Sequence, residues 1–281
     1  MPYTHFGKQA DVWKHIVLCQ LLDYEKPDVY IETNSASAAY ELNRTAEQEY
    51  GIYHFINKAG DNDVLKNSVY YGLEDDVMKK EHYLGSPGLA MSILGQTATR
   101  YLFFDIEKEP LENIKEFALS KGLEVKIATF NQDSILEVMK LLPSLPKSTF
   151  IHVDPYEIDK KDCNGYTYLD LFIQAAHYGF KCILWYGFMT FAIKSRLNEY
   201  IKTNIYKNNI SNSICVDLIL NVIKEDIIPC NPGILGSGLL AANICEQSKF
   251  MIHNYSQHLM DIYKNAWYKD HDGSLFRDII I

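Results

Sequence analysis

Short apolar runs that end in polar residues alternate with helix-patterned segments along most of this chain. That alternation limits the fold more than any other feature. "DVYIET" (28–33), "RYLFFDIE" (100–107), "LEVKIA" (123–128), "STFIHVDP" (148–155) and "KCILWYG" (181–187) read as strands. Helical patterns follow at 110–120, 133–142, 168–178 and 191–202. Strands alternating with helices predict a parallel sheet covered on both faces. A first helix is expected over 10–22, where Val12, Ile16, Cys19 and Leu22 recur at helical spacing. Two late strands, "SICVDLIL" (213–220) and "GSGLLAANI" (236–244), lie close enough in sequence to form an antiparallel hairpin at the sheet edge, and a helix over 250–266 follows.

A helix is expected over 36–43. The segment 44–80 is polar, rich in tyrosine and mostly helical in pattern, so residues from about 44 to 84 read as a helical insertion in a single domain spanning 1–281. "GSPGLAMSIL" (85–94) reads as a helix with Ser86 as its cap and Pro87 at its first position. A chain of 281 residues that is 47% hydrophobic can bury one large core. The net charge of −9 argues against a broadly basic nucleic-acid coat but leaves room for a local basic patch. The six cysteines include no C-x-x-C pair, so neither a zinc site nor any other metal is expected, and free thiols fit better than a disulfide framework. No apolar signal region or run of ~18 apolar residues is present, and the expected setting is cytoplasmic, away from membranes.

Five strand–helix units followed by an edge hairpin match the layout of class I methyltransferases. In such sheets ligands bind at the carboxyl ends of the strands, near the point where strand order reverses. The polar residues at strand ends therefore each carry two readings. Asp105 can accept the ribose hydroxyls of an adenosine cofactor, or cap a helix. Asp133 can hold an adenine amine, or cap the helix that follows it. In "HVDPYE" (152–157) a buried strand delivers Asp154, Pro155 and Tyr156 into a loop. A carboxylate with a proline-fixed carbonyl and an aromatic suits an amine on a planar base, while the plain alternative is a proline-fixed turn. Lys14 and His15 follow Asp11 at three and four residues, which suits either a site or a solvated helix face with a local ion pair.

"GKQADVWKH" (7–15) resembles the N-terminal signature of the 23S rRNA adenine-N6 methyltransferase family, G-x-x-A-D-V-x-K-H. The likeness continues in order through "YIET", "YEL", "RTAEQEY", "LGSPGLA", "DSILEVMKLLP", "DPYE", "LWY" and "GSGLLAANI". A sister family, the three-cysteine-motif partner methyltransferases, shares the K-H helix, the G-S-P turn and the D-P-aromatic motif. The resemblance implies a Rossmann-like class I methyltransferase sheet, mostly parallel. It implies S-adenosylmethionine as cofactor, an adenine in RNA ahead of DNA as substrate, and a monomer. It places His15, Asn34, Ser86, Asp105, Asp133, Ser134 and Asp154 at the cofactor. Asp154 falls at the catalytic acid, Tyr156 at the base-stacking aromatic, and Lys14 and Tyr3 in the motif that lies over the active site.

The chain departs from the pattern at two places. The family's H-A-G-A-G is here Asn34, Ser35, Ala36, Ser37 and Ala38, so both glycines are lost. Alanine disfavours the positive φ and close backbone approach that glycine allows. The family's D-P-P-Y is here Asp154, Pro155, Tyr156, one proline short. The activity implied is methyl transfer to an adenine amine. The main competing reading is a degenerate member that keeps the fold and serves as a binding or scaffold module. A third, favoured by the −9 charge, is a methyltransferase with a non-nucleic-acid substrate.

Overall fold

The structure, a computed structural model, describes residues 6–220, 235–268 and 271–281, and Tyr3 lies outside them. The chain runs α1 (Gln9–Glu25), β1 (Val29–Thr33), β2 (Ala39–Glu41), α2 (Ala46–Gln48), a π-helical turn (Glu49–Tyr53), α3 (His54–Ala59), α4 (Asp63–Lys66), α5 (Val69–Met78) and β3 (His82–Leu84). It continues with α6 (Ser86–Leu94), β4 (Arg100–Asp105), α7 (Lys108–Ser120), β5 (Ile127–Asn131), α8 (Ile135–Leu141), β6 (Thr149–Val153), α9 (Tyr168–His177) and β7 (Lys181–Phe188). Last come α10 (Phe191–Lys207), β8 (Ser213–Leu220), β9 (Gly236–Ala242), α11 (Glu246–Ile262), β10 (Trp267–Tyr268), β11 (His271–Asp272) and β12 (Leu275–Ile279).

The main sheet has the order β12-β8-β9-β7-β6-β1-β4-β5. Strands β5, β4, β1, β6 and β7 are parallel. β9 runs antiparallel between β7 and β8, and β12 is antiparallel on the outer side of β8. Both faces of β1, β4, β6 and β7 are buried, so their sequences read as apolar runs rather than strict alternation, while β5 at the sheet edge is only partly covered. The period of two survives in which core each residue joins. Ile31, Leu102, Phe104, Ile151 and Val153 pack with α8, α9 and α10. Tyr30, Tyr101, Phe103 and Phe150 pack with α1, α6, α7 and α11. Helix α1 is buried almost all round, with Val12, Trp13, Ile16 and Leu18 wholly enclosed. It sits between α5, α6 and α11 on that second face.

Three expectations need correction. Residues 36–43 hold no helix. Ala39–Glu41 instead pairs antiparallel with His82–Leu84, and the ribbon starts and finishes the excursion that carries α2 to α5. Ladder partners on a distant segment outweighed the local helical pattern. Gly85, not Ser86, is the N-cap of α6. The Ser86 hydroxyl turns inward and donates to Glu32 instead. The pairing of β8 with β9 is antiparallel as expected, but β9 lies inside the sheet and β12 forms the edge. The strand at β12 had no sequence expectation, because its five residues include Arg277 and Asp278. The five described cysteines are free. Among the described residues no group of side chains could hold a metal ion, and no helix is long and apolar enough to cross a membrane.

Candidate active site

The strand order reverses at β1, whose neighbours β4 and β6 lie on opposite sides. The connections leave in opposite directions there, which opens a crevice at the carboxyl ends of β1 and β6. A cavity of about 430 Å3 lies at that point. Its walls come from α1 (Lys14, His15), the turn after β1 (residues 34–37), the start of α6 (Gly85, Ser86), the loop after β6 (Asp154, Pro155, Tyr156) and Trp185 of β7. Strand ends β1 and β6 are fastened together, since the Asp154 N–H donates to Thr33 Oγ1 at 3.2 Å.

Asp154 and Lys14 form a buried ion pair, Nζ to Oδ2 at 2.8 Å, with each side chain about one-tenth exposed (9% and 11%). Asp11 stands 3.6 Å from the same ammonium, and the Trp185 ring lies 5.2 Å beneath it. Burial works against the Lys14 charge, but Asp154 and Asp11 more than offset it, and the ammonium is held above its usual range. Burial raises the Asp154 carboxyl, and Lys14 pulls the other way. The helix spacing from Asp11 does give the expected local ion pair, yet Lys14 and His15 are buried rather than on a solvated face.

His15 Nδ1 lies 2.8 Å from the Tyr83 hydroxyl, and Tyr70 donates to that same hydroxyl at 3.4 Å. Donation from Tyr83 to Nδ1 goes with the tautomer that carries the imidazole proton on Nε2. Burial, with Lys14 and His152 nearby, pushes the His15 pKa well down, so the ring is neutral. Four buried polar atoms of cavity-lining residues have no hydrogen-bond partner: His15 Nε2, Asn34 Oδ1, Asp154 Oδ1 and Trp185 Nε1. Unpartnered buried polar atoms cost roughly 1–3 kcal/mol each, so a cluster of them marks a place built for a polar ligand.

The turn after β1 is held by protein acceptors throughout. The N–H of Ser35 donates to Phe104 O, that of Ala36 to Asp105 Oδ2 (2.9 Å), that of Ser37 to Tyr40 Oη and that of Ala38 to Asn113 Oδ1. Asp105 takes a second backbone donor, Glu107 N at 2.7 Å, and fastens the turn to β4. The N-cap of α7 is Glu107, with no side-chain cap bond, so Asp105 does not cap that helix. Asn34 (φ 56°) and Ala36 (φ 52°) are left-handed, while Ala38 is not. Of the two alanines at positions where the resembled pattern has glycine, only Ala36 is therefore at a strained φ. Gly85 and Gly88 at the start of α6 come close to the turn. A Cβ on Gly85 would lie 2.1 Å from Ser37 O, and one on Gly88 2.0 Å from Ala38 O. Ala36→Gly should raise stability by about 1 kcal/mol, because alanine is disfavoured at left-handed φ. Ala38→Gly should lower it by about 1–2 kcal/mol, since it removes a buried methyl and loosens the unfolded chain. Urea unfolding of the two single variants reads both signs; equal shifts would mean that the turn does not discriminate them.

Asp133 lines a second cavity of about 320 Å3, which shares Asn34, Pro155 and Tyr156 with the first. The N-cap of α8 is Ser134 rather than Asp133, though the Asp133 side chain accepts from Ile135 N at the start of that helix at 3.0 Å. Ser134 is buried beside it, and its hydroxyl reaches Tyr168 Oη at 3.5 Å. The structure thus brings Lys14, His15, Asn34, Ser86, Asp154 and Tyr156 to one cavity and Asp133 to its neighbour. Asp105 and Ser134 stand behind these walls. Sequence reading named Asp11 only as a local ion-pair partner and missed Trp185 and Tyr168. Asp11 and Trp185 lay inside quoted motifs, but Tyr168 gave no signal, because its partner Asn34 is 134 residues away.

Sheet order and switch-point crevice define the class, a Rossmann-like α/β fold of the class I methyltransferase type. Its likeness extends to solved structures. Protein LPL1258 from Legionella pneumophila str. Philadelphia 1, assigned to the family model DUF519, is similar over 98% of each chain, with 21% identity and a TM-score of 0.70. The O-methyltransferase TomG from Streptomyces achromogenes, solved in complex with SAM, is more distant: 10% identity, 82% and 79% of the chains and a TM-score of 0.45. An rRNA methylase from Streptococcus thermophilus has 8% identity, coverage of 86% and 100%, and a TM-score of 0.43. No family model and no curated protein matches the chain.

Proposed function

We propose that the protein transfers the methyl group of S-adenosylmethionine to the exocyclic amine of an adenine, in RNA ahead of DNA. The observation that carries this is the Asp154 carboxylate. It is buried at the end of β6, paired through Oδ2, and has a free Oδ1 beside Pro155 and the half-exposed Tyr156. The free oxygen suits an amine N–H, and the aromatic suits stacking on an extruded base. The unpartnered atoms fit the cofactor's amino-acid end: His15 Nε2–H would face its carboxylate, and Asn34 Oδ1 its ammonium. Ser86 would line the same end. Asp105 would accept ribose hydroxyls with the lone pairs left by its two backbone donors. Asp133 and Ser134 would hold the adenine end at the second cavity.

When bound, S-adenosylmethionine supplies an electrophilic methyl on a sulfonium. The chain's own work is to orient and to exclude water. Lys14 keeps Asp154 ionised and, by occupying Oδ2, leaves Oδ1 for the substrate amine. Asp154 accepts one amine hydrogen and turns the nitrogen lone pair toward the methyl. The methylated nitrogen sheds its proton readily, so no strong base is required. The test is incubation with methyl-labelled S-adenosylmethionine and adenine-containing RNA and DNA strands, alongside a binding titration. Label on the adenine amine is expected. Absence of S-adenosylmethionine binding would sink the reading.

A second reading, a module that keeps the fold without catalysis, is favoured by one observation. All four N–H groups of residues 35–38 are taken by protein acceptors, so the turn has none left to offer a ligand. Cofactor binding without transfer to any adenine strand would favour it.

A further inference from the structure

The two cavities share a boundary, and a hydrogen bond crosses it. Asn34, Pro155 and Tyr156 line both. From that shared wall the Asn34 amide Nδ2 donates to Tyr168 Oη at 2.9 Å. Tyr168 lines only the second cavity. It is the first residue of α9, and its ring packs on the core beneath that helix. The helix start is rigidly set: Thr167 caps it and Asp170 returns the bond to the Thr167 N–H. The Ser134 hydroxyl approaches the same phenol oxygen. One hydroxyl thus gathers polar groups from the ends of β1 and β5. Burial raises the Tyr168 pKa, so the group remains a neutral phenol. The other amide atom, Asn34 Oδ1, is buried and has no partner.

We propose that Asn34 and Tyr168 form a latch across the middle of the cleft, which a ligand spanning both cavities has to open. The inference rests on the cofactor reading above. A molecule with an amino-acid end in the first cavity and a purine end in the second must run along the shared wall. It can do so only if the phenol releases the Asn34 amide. The amide is then free to use both its donor and its unpartnered acceptor on the ligand. A molecule that fills one cavity alone leaves the latch shut. The latch therefore selects against the whole two-ended ligand and is indifferent to its halves.

Tyr168→Phe tests this, because it keeps the packed ring and removes the hydroxyl. Titrations use S-adenosylmethionine, then methionine and adenosine separately, against both chains, with urea unfolding as the check on folding. Tyr168→Phe should tighten S-adenosylmethionine binding by up to about tenfold, the scale of one neutral hydrogen bond, and leave the two fragments unchanged. Weaker binding of S-adenosylmethionine would make Tyr168 a ligand contact and overturn the latch. Unchanged binding would overturn it as well, with the cofactor reading intact. Equal tightening of whole and fragments would show a general loosening of α9, again against the latch. If neither chain binds S-adenosylmethionine at all, the cofactor reading falls and the latch with it.

Discussion

Asp154→Ala should abolish methyl transfer, by about 10³-fold or more, and should also destabilise the protein. The rate effect follows from the loss of the one charged acceptor at the end of β6, where positioning and electrostatic orientation of an amine are worth this much. The stability effect is a consequence of Lys14. With Asp154 removed, its buried ammonium keeps Asp11 at 3.6 Å and the Trp185 ring, but no close, directly bonded carboxylate. Breaking a buried pair by removing one partner leaves an uncompensated charge and costs about 3 kcal/mol. Asp154→Asn separates the two effects. The amide keeps the shape and can still accept from Lys14, so more of the stability should survive while the activity is lost. Labelled-methyl transfer and urea unfolding, measured on both variants, read the two outcomes. An alanine variant that transfers methyl groups at the wild-type rate would remove Asp154 from the chemistry.

The parallel sheet was legible because four of its five strands are buried on both faces, and such strands stand out as apolar runs wherever they fall in the chain. Strand ends were legible for the same reason: Thr33, Asp105 and Asp154 are the polar residues on which those runs stop. What lay beyond sequence reading was pairing at long range. Nothing in "ASAAYEL" announces that residues 39–41 would find their partners at 82–84, and a helix was the better local guess. The excursion between them carries Tyr70 and its closing strand carries Tyr83, and both rings contact His15. The buried pairing of Lys14 with Asp154 crosses 140 residues, and the Asn34 to Tyr168 bond crosses 134. The glycine turn was half legible. Loss of glycine at Ala36 was read as strain, and its φ of 52° bears that out, whereas Ala38 needed no glycine. The closely approaching glycines, Gly85 and Gly88, sit at the start of a helix that meets the turn only in three dimensions.

Gly88→Ala should cost about 3 kcal/mol or more, the upper range for overpacking, and should weaken binding of any ligand in the first cavity by at least about tenfold. The added methyl would fall 2.0 Å from Ala38 O and 3.0 Å from its carbonyl carbon. Backbone cannot yield by a rotamer change, so the whole start of α6 has to back away from the turn. That start carries Ser86, which holds Glu32, and Gly85, whose N–H donates to Ala38 O at 3.0 Å. Both walls of the cavity would part together. Gly72→Ala is the matched control. It lies within α5, with no atom inside 4 Å of the added methyl, and there alanine should stabilise by roughly 0.5–1 kcal/mol as an ordinary helix former. Unfolding of the two variants should therefore shift in opposite directions, although the chemical change is the same. If Gly88→Ala proved as stable as the parent and bound S-adenosylmethionine equally well, the seam between α6 and the turn would have slack. The close approach that glycine provides would then have no part in shaping the site.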